Sequence, residues 1–146
     1  MNKTIDYETD LYSWALHNAE LLRQGRFAEI DAEHIAEELE DRGKSDRRAL
    51  ENRLIILVAH LLKWEHQPDH RSGSWEGSIN EQRLRVNRLL RNNPGLKPYL
   101  PEAVANAYAD ALKLAAKDTH TSVNRFPSTC PYTLEQMLHE DFYPEN

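Results

Sequence analysis

Arg53-Leu-Ile-Ile-Leu-Val-Ala-His-Leu-Leu-Lys-Trp64 is the stretch around which the rest of the chain has to pack. Between Leu54 and Leu62 only His60 is polar, so a helix here has almost no face to offer water. A helix that is apolar nearly all round is the buried centre of its domain. The run is too short for a membrane span, which needs about 20 apolar residues. The segment therefore predicts a core helix over about 46–65 with one histidine embedded in it, and leaves the Gly43-Lys44-Ser45 interruption before it as either a break or a kink.

Outward from that helix the punctuation is helical throughout. Upstream, Leu11, Trp14, Ala15, Asn18, Leu21 and Leu22 form a stripe at helical spacing, with Thr9 or Asp10 as its cap and Gly25 as its stop. Asp31 opens a second helix with Ile35 and Leu39 as its apolar positions, and His34, Glu38 and Asp41 share one polar stripe of it. Ser45 is placed to cap the central helix. Downstream, Pro68 ends that helix, and Ser74 is placed to cap the next, which runs to about Asn92. Pro98 or Pro101 opens a helix faced by Ala103, Ala107, Ala111 and Ala115. Thr133 and Gln136 have the spacing of a capping box for one short helix to about His139. The expectation is a single all-α domain over 1–146: an up-and-down bundle of five main helices and a short C-terminal one.

Composition narrows the function classes. A chain of 146 residues with 40% hydrophobic and 29% charged residues is globular rather than disordered. The single cysteine, Cys130, rules out an internal disulfide and fits a reducing cytoplasm. The first 20 residues carry Asp6, Glu8 and Asp10 and no apolar run, which predicts no signal peptide. The net charge of −6 is unevenly spread: residues 1–41 hold 3 basic and 11 acidic side chains, a net of −8, whereas residues 71–100 hold 6 basic and 2 acidic, a net of +4. Such a split suits anion binding, but the plainer expectation is that the acidic and basic elements pack against each other. Nucleic acid is disfavoured by the overall acidity and by the lack of aromatics among Arg85, Arg88 and Arg91.

Several segments together resemble a known family: Tyr7-Glu-Thr-Asp-Leu-Tyr-Ser-Trp14, Glu37-Glu38 leading to Gly43-Lys-Ser45, and His60-Leu-Leu-Lys-Trp64. Trp75, Gln82-Arg83 and Cys130-Pro-Tyr132 extend the likeness over nearly the whole chain. The chain is similar to the bacterial domain-of-unknown-function family numbered 29. The resemblance implies a small all-helical protein, and it implies no activity and no catalytic residues.

The remaining chemistry is a polar cluster. Arg83 sits among Ile79, Val86 and Leu90 on an apolar helix face, and a buried guanidinium needs acceptors. Glu38, or failing it Glu37, is the expected partner, with His60 in the same structural network. A catalytic version would use His60 as general base, Glu38 to orient it, and Arg83 or Lys63 to hold an anion. A metal version would use His34, Glu38 and Asp41. The repeated Glu-x-x-His of di-iron bundles is missing, because Asp31 stands where glutamate is required. No cofactor is expected. The favoured class is a non-enzymatic interaction protein with a protein partner, working through its acidic N-terminal face or its basic helix, and the alternative is an enzyme or metal-binding protein built on the cluster.

Overall fold

The computed structural model describes residues 5–145; residues 1–4 and Asn146, part of the expected 1–146 domain, lie outside it. Five helices follow in order: α1 (Leu11–Arg23), α2 (Ala32–His66), α3 (Gly73–Asn92), α4 (Leu100–Thr119) and α5 (Leu134–Leu138). Short 3-10 turns occupy Pro68–His70, Pro94–Tyr99 and Val123–Arg125. No strand occurs among the described residues, and the architecture is an all-α bundle. The chain divides into two compact units, Met1–Lys44 and Ser45–Asn146.

Four long helices stand where five are expected, because the second helix and the central helix are one. α2 is continuous through Gly43 and Ser45, so Ser45 caps nothing. Glycine inside a helix costs only about 1 kcal/mol against alanine. Strong helix formers on both sides, from Glu37 to Arg42 and from Arg47 to Leu50, keep the hydrogen-bond ladder running.

In the second unit the expected core is in place. Leu50, Leu54, Leu57, Val58, Ala59, Leu61 and Leu62 of α2 are buried over more than half of the helix circumference, while Arg53, Ile56 and His60 on the remaining side are half-buried. They pack in one cluster with Ile79, Val86 and Leu90 of α3, with Ala103, Ala107, Ala111 and Ala115 of α4, and with Tyr132 and Met137. The alanine face lets α4 approach closely. α3 begins two residues before the expected position: Ser72, not Ser74, is its cap, accepting the backbone N–H of Trp75 at 3.2 Å. The capping box at α5 is present, with Thr133 and Gln136 each accepting the other's backbone N–H.

In the first unit α1 is capped by Asp10, which accepts from Ser13 N–H at 3.1 Å. Its buried face is narrower than the expected stripe. Trp14, Asn18 and Leu21 are buried, while Leu11, Leu16 and Leu22 are exposed. Leu39 of α2, expected to face the core, is 69% exposed. The apolar arc of α1 thus extends well beyond the side that its own unit covers.

The enclosure of α2 makes Leu57→Ala a test of the core. Its side chain is fully buried, so truncation is expected to destabilise the protein by about 2–5 kcal/mol in urea unfolding, whereas a loss below about 1 kcal/mol would refute a central α2.

Candidate functional site

The polar residues singled out by the sequence fall into two groups, each with its partners inside its own unit. The first is centred on Asp31. Its backbone N–H donates to Asn18 Oδ1 at 2.8 Å, and Asn18 Nδ2 donates to the Trp14 carbonyl at 3.0 Å. The Asp31 carboxylate accepts from Trp14 Nε1 at 3.0 Å and meets His34 Nδ1 at 2.7 Å. Tyr7 lies flat against the His34 ring, with centroids 4.0 Å apart, and meets Trp14 edge-on at 4.8 Å. The Tyr7 hydroxyl donates to Glu38 Oε1. Tyr7 ahead of α1, Trp14 and Asn18 of α1, and the start of α2 are thereby stapled together by aromatic contact and charge-assisted hydrogen bonds.

The electrostatics follow from these contacts. The hydrogen bonds from His34 and Trp14 hold the Asp31 carboxyl below the usual carboxylate range. The bond to Asp31 raises the His34 imidazole above its ordinary value, with the charges of Asp31, Glu37 and Glu8 adding to it. The Glu38 bond pushes the Tyr7 phenol well up, helped by the charges of Glu37, Glu38 and Asp41. His34 Nε2 lies 3.9 Å from Glu8 Oε1. Asp31 and Tyr7 were not foreseen as site residues. The sequence signal for them is spacing: Asp31 stands three before His34, and Tyr7 seven before Trp14.

The second group lies in the Ser45–Asn146 unit. His60 Nδ1 faces the Ile56 carbonyl of its own helix at 2.8 Å, so that nitrogen is not held by Glu38 as the general-base arrangement requires. Burial lowers the His60 imidazole below its ordinary value, and the charge of Lys63 lowers it further. Lys63 is itself buried, its Nζ 3.0 Å from Asp118 Oδ2 and 5.0 Å from the Trp75 ring centroid.

Arg83 is 2% exposed, and its acceptors are backbone carbonyls rather than the carboxylate of Glu38 or Glu37. Nε donates to Met137 O at 2.8 Å, Nη1 to Glu140 O at 3.4 Å, and Nη2 to Gln136 O at 3.3 Å and Phe142 O at 2.6 Å. Gln136 and Met137 stand in the last turn of α5, where carbonyls have no partner within the helix and carry the negative end of its dipole. Five N–H donors in a planar fork suit this fan of oxygens. Desolvation nevertheless lowers the Arg83 guanidinium from its ordinary value.

Cys130 is half-buried with Sγ 3.6 Å from the Tyr132 carbonyl, and burial raises its thiol, which works against thiolate chemistry. Tyr132 donates to Glu65 Oε1 at 3.0 Å, and Tyr108 to the Pro127 carbonyl at 2.7 Å. His66, the last residue of α2, is half-buried, with Nε2 3.5 Å from Glu65 Oε2 and its ring edge-on to Phe126 at 5.0 Å. Among the described residues, no group of three or more His, Cys, Asp or Glu side chains is arranged to hold a metal ion; His34, Glu38 and Asp41 do not form one.

Every segment in this geometry falls within one family match, to the domain of unknown function DUF29 over residues 7–143. The chain belongs to the DUF29 family. No curated protein and no solved structure matches it. For this DUF29 chain, no helix among the described residues is long and apolar enough to cross a membrane.

Two measurements check these assignments. Histidine titration by NMR is expected to place His34 above 6.5 and His60 below it. The signs differ in consequence. A raised His34 adds stability that is complete below its unfolded value and is lost as pH rises through its folded value. A depressed His60 contributes in the opposite sense, and that contribution fades as pH falls through the unfolded value near 6.5. Equal values for the two would refute the contacts. Separately, Arg83→Met strips four carbonyls of a donor, the Met137 bond buried and the other three part-buried, and should cost about 3 kcal/mol. Arg85→Met breaks only an exposed pair with Glu81 at 2.9 Å, worth about 0–1 kcal/mol. Equal losses on urea unfolding would remove the clamp.

Proposed function

We propose that this chain is a cytoplasmic, non-enzymatic protein–protein interaction module whose docking surface is the outer face of its first unit. One observation carries the reading. Of the nine large hydrophobic side chains exposed among the described residues, seven lie between Ile5 and Leu39. Tyr12 is 76% exposed, Phe27 67% and Leu16 57%. On α1, Leu11, Ala15, Leu16, Ala19, Tyr12 and Leu22 occupy one arc of about 140°, beside the arc that holds Trp14, Asn18 and Leu21. Apolar side chains exposed singly are ordinary on a protein, but a grouped set on one element is the mark of a binding surface.

The rim supplies the chemistry of the partner. Glu20 stands next to this arc on α1 and Asp6 and Glu8 come just before the helix, in a region of net charge −8, with Arg23 the one basic residue on the arc. The matching surface is therefore apolar with a basic border, which steers encounter and fixes register. The aromatic staple of Tyr7, Trp14 and His34 gives α1 a rigid seat from which to present that arc, lowering the entropy lost on association.

A photo-crosslinking amino acid placed at Tyr12 or Leu16, with Lys113 as the control position, tests this reading. A discrete adduct from the α1 positions is expected, lost on Leu16→Asp in a chain whose circular dichroism is unchanged. Adducts no stronger than those from Lys113 would refute it.

A further inference from the structure

The second unit carries a cavity of about 720 Å³, within the range of small-molecule sites, about 300–1,000 Å³. Its floor is apolar and comes from three helices and a turn: Leu90 near the end of α3, Pro94, Leu100 at the start of α4 and Leu138 at the end of α5. Leu90 and Leu100 are buried, Leu138 is half-buried and Pro94 is exposed, so part of this floor still faces water. Asn87 donates to the Leu138 carbonyl at 3.4 Å and ties α3 to α5 along one side. Arg91 and Lys97 supply the charge, and among the described residues no carboxylate lines the cavity.

That lining is unusual on a chain of net charge −6, where cations readily find acids. Arg26 holds Glu29, Arg85 holds Glu81 and Lys63 holds Asp118. Arg91 and Lys97 hold none: among the described residues neither side chain makes an ion pair, a hydrogen bond or a contact with an aromatic ring. They also come from separate elements, Arg91 from the last turn of α3 and Lys97 from the turn at Pro94–Tyr99. The change of direction at Asn93 and Pro94 therefore brings two unpaired cations to the edge of one apolar floor.

We propose that this cavity binds a small carboxylic acid with an apolar tail, the carboxylate held by Arg91 and Lys97 and the tail laid over Leu90, Leu100 and Leu138. The guanidinium fork matches a carboxylate with two parallel hydrogen bonds, and the lysine adds a compact second charge. With no acid in the lining, an anion meets attraction alone, whereas an amine of the same shape meets two like charges. The floor supplies the other half of the recognition, since each methylene buried on it raises affinity by up to about fourfold. A floor of four side chains suits a small molecule better than a protein, which covers roughly 800 Å² on each partner. The site lies wholly within the second unit and does not depend on the α1 docking surface.

The test is amide chemical-shift mapping by NMR on the full chain, titrated separately with octanoate, butyrate and octylammonium. Octanoate is expected to give saturable shifts centred on Leu90, Arg91, Lys97, Leu100 and Leu138. Butyrate, four methylenes shorter, should bind at least about tenfold more weakly, and octylammonium should leave these amides unmoved. Arg91→Gln with Lys97→Gln should lower octanoate affinity by about tenfold or more. Both positions are exposed, so circular dichroism and melting temperature should stay close to wild type. Arg91→Glu with Lys97→Glu should go further and exchange the preference, taking octylammonium in place of octanoate. Equal binding of octanoate and octylammonium would reduce the site to a bare apolar patch, and butyrate as tight as octanoate would reduce it to a bare anion site. Either result overturns the proposal, as do octanoate shifts centred elsewhere or undiminished in the Gln variant. A short peptide with a free C-terminal leucine is the last probe. If it moves the same amides and binds more tightly than octanoate, the occupant is a chain terminus and the small acid is refuted.

Discussion

Between Leu54 and Leu62, α2 carries apolar side chains round most of its circumference, broken only by His60, and a helix of that kind must be largely enclosed rather than leaned upon. The second unit is built to meet this requirement. α3 brings Ile79, Val86 and Leu90, α4 brings its alanine face, and the segment after Pro131 brings Tyr132 and Met137. Enclosure also decides what happens to the polar groups on these helices. Lys63 reaches Asp118 and the face of Trp75, His60 turns back to its own helix, and Arg83 finds carbonyls. Each follows from the rule that a group taken out of water must be handed partners at once.

What was legible in the sequence depends on how local the deciding interaction is. The run from Leu54 to Leu62 and the Thr133–Gln136 box could be read because each states its own environment. Gly43 could not be resolved, since its small cost is set against the helix preference of neighbours on both sides. Ser72 and Ser74 carry the same hydroxyl two residues apart, so side-chain chemistry does not separate them as caps, and it is Ser72 that accepts the Trp75 N–H. The width of the buried arc on α1 was illegible for a different reason: periodicity shows which residues share a face, but not how much of that face is covered.

The polar cluster shows the same limit at the level of chemistry. Counting side chains suggested a carboxylate for Arg83, because only ionised groups register as counter-charges in a sequence. Backbone carbonyls at the end of a helix carry partial charge too, and four of them converge on this guanidinium. Glu38 takes the Tyr7 hydroxyl, a pairing across 31 residues that no helical wheel contains. The two histidines differ for related reasons, since one faces a carboxylate and the other faces burial.

The Arg83 clamp has a bearing on how the protein is made. Its acceptors lie 53 to 59 residues further along the chain. During synthesis α2, α3 and α4 emerge while that guanidinium is still hydrated, and the helices have to wait, partly open, for residues 136–142 to leave the ribosome. At about 5–20 residues per second this interval lasts several seconds, long compared with helix formation. For that time the leucines of α2 lack their last cover, so a nascent chain stalled before residue 136 is the form of this protein that chaperones should hold longest.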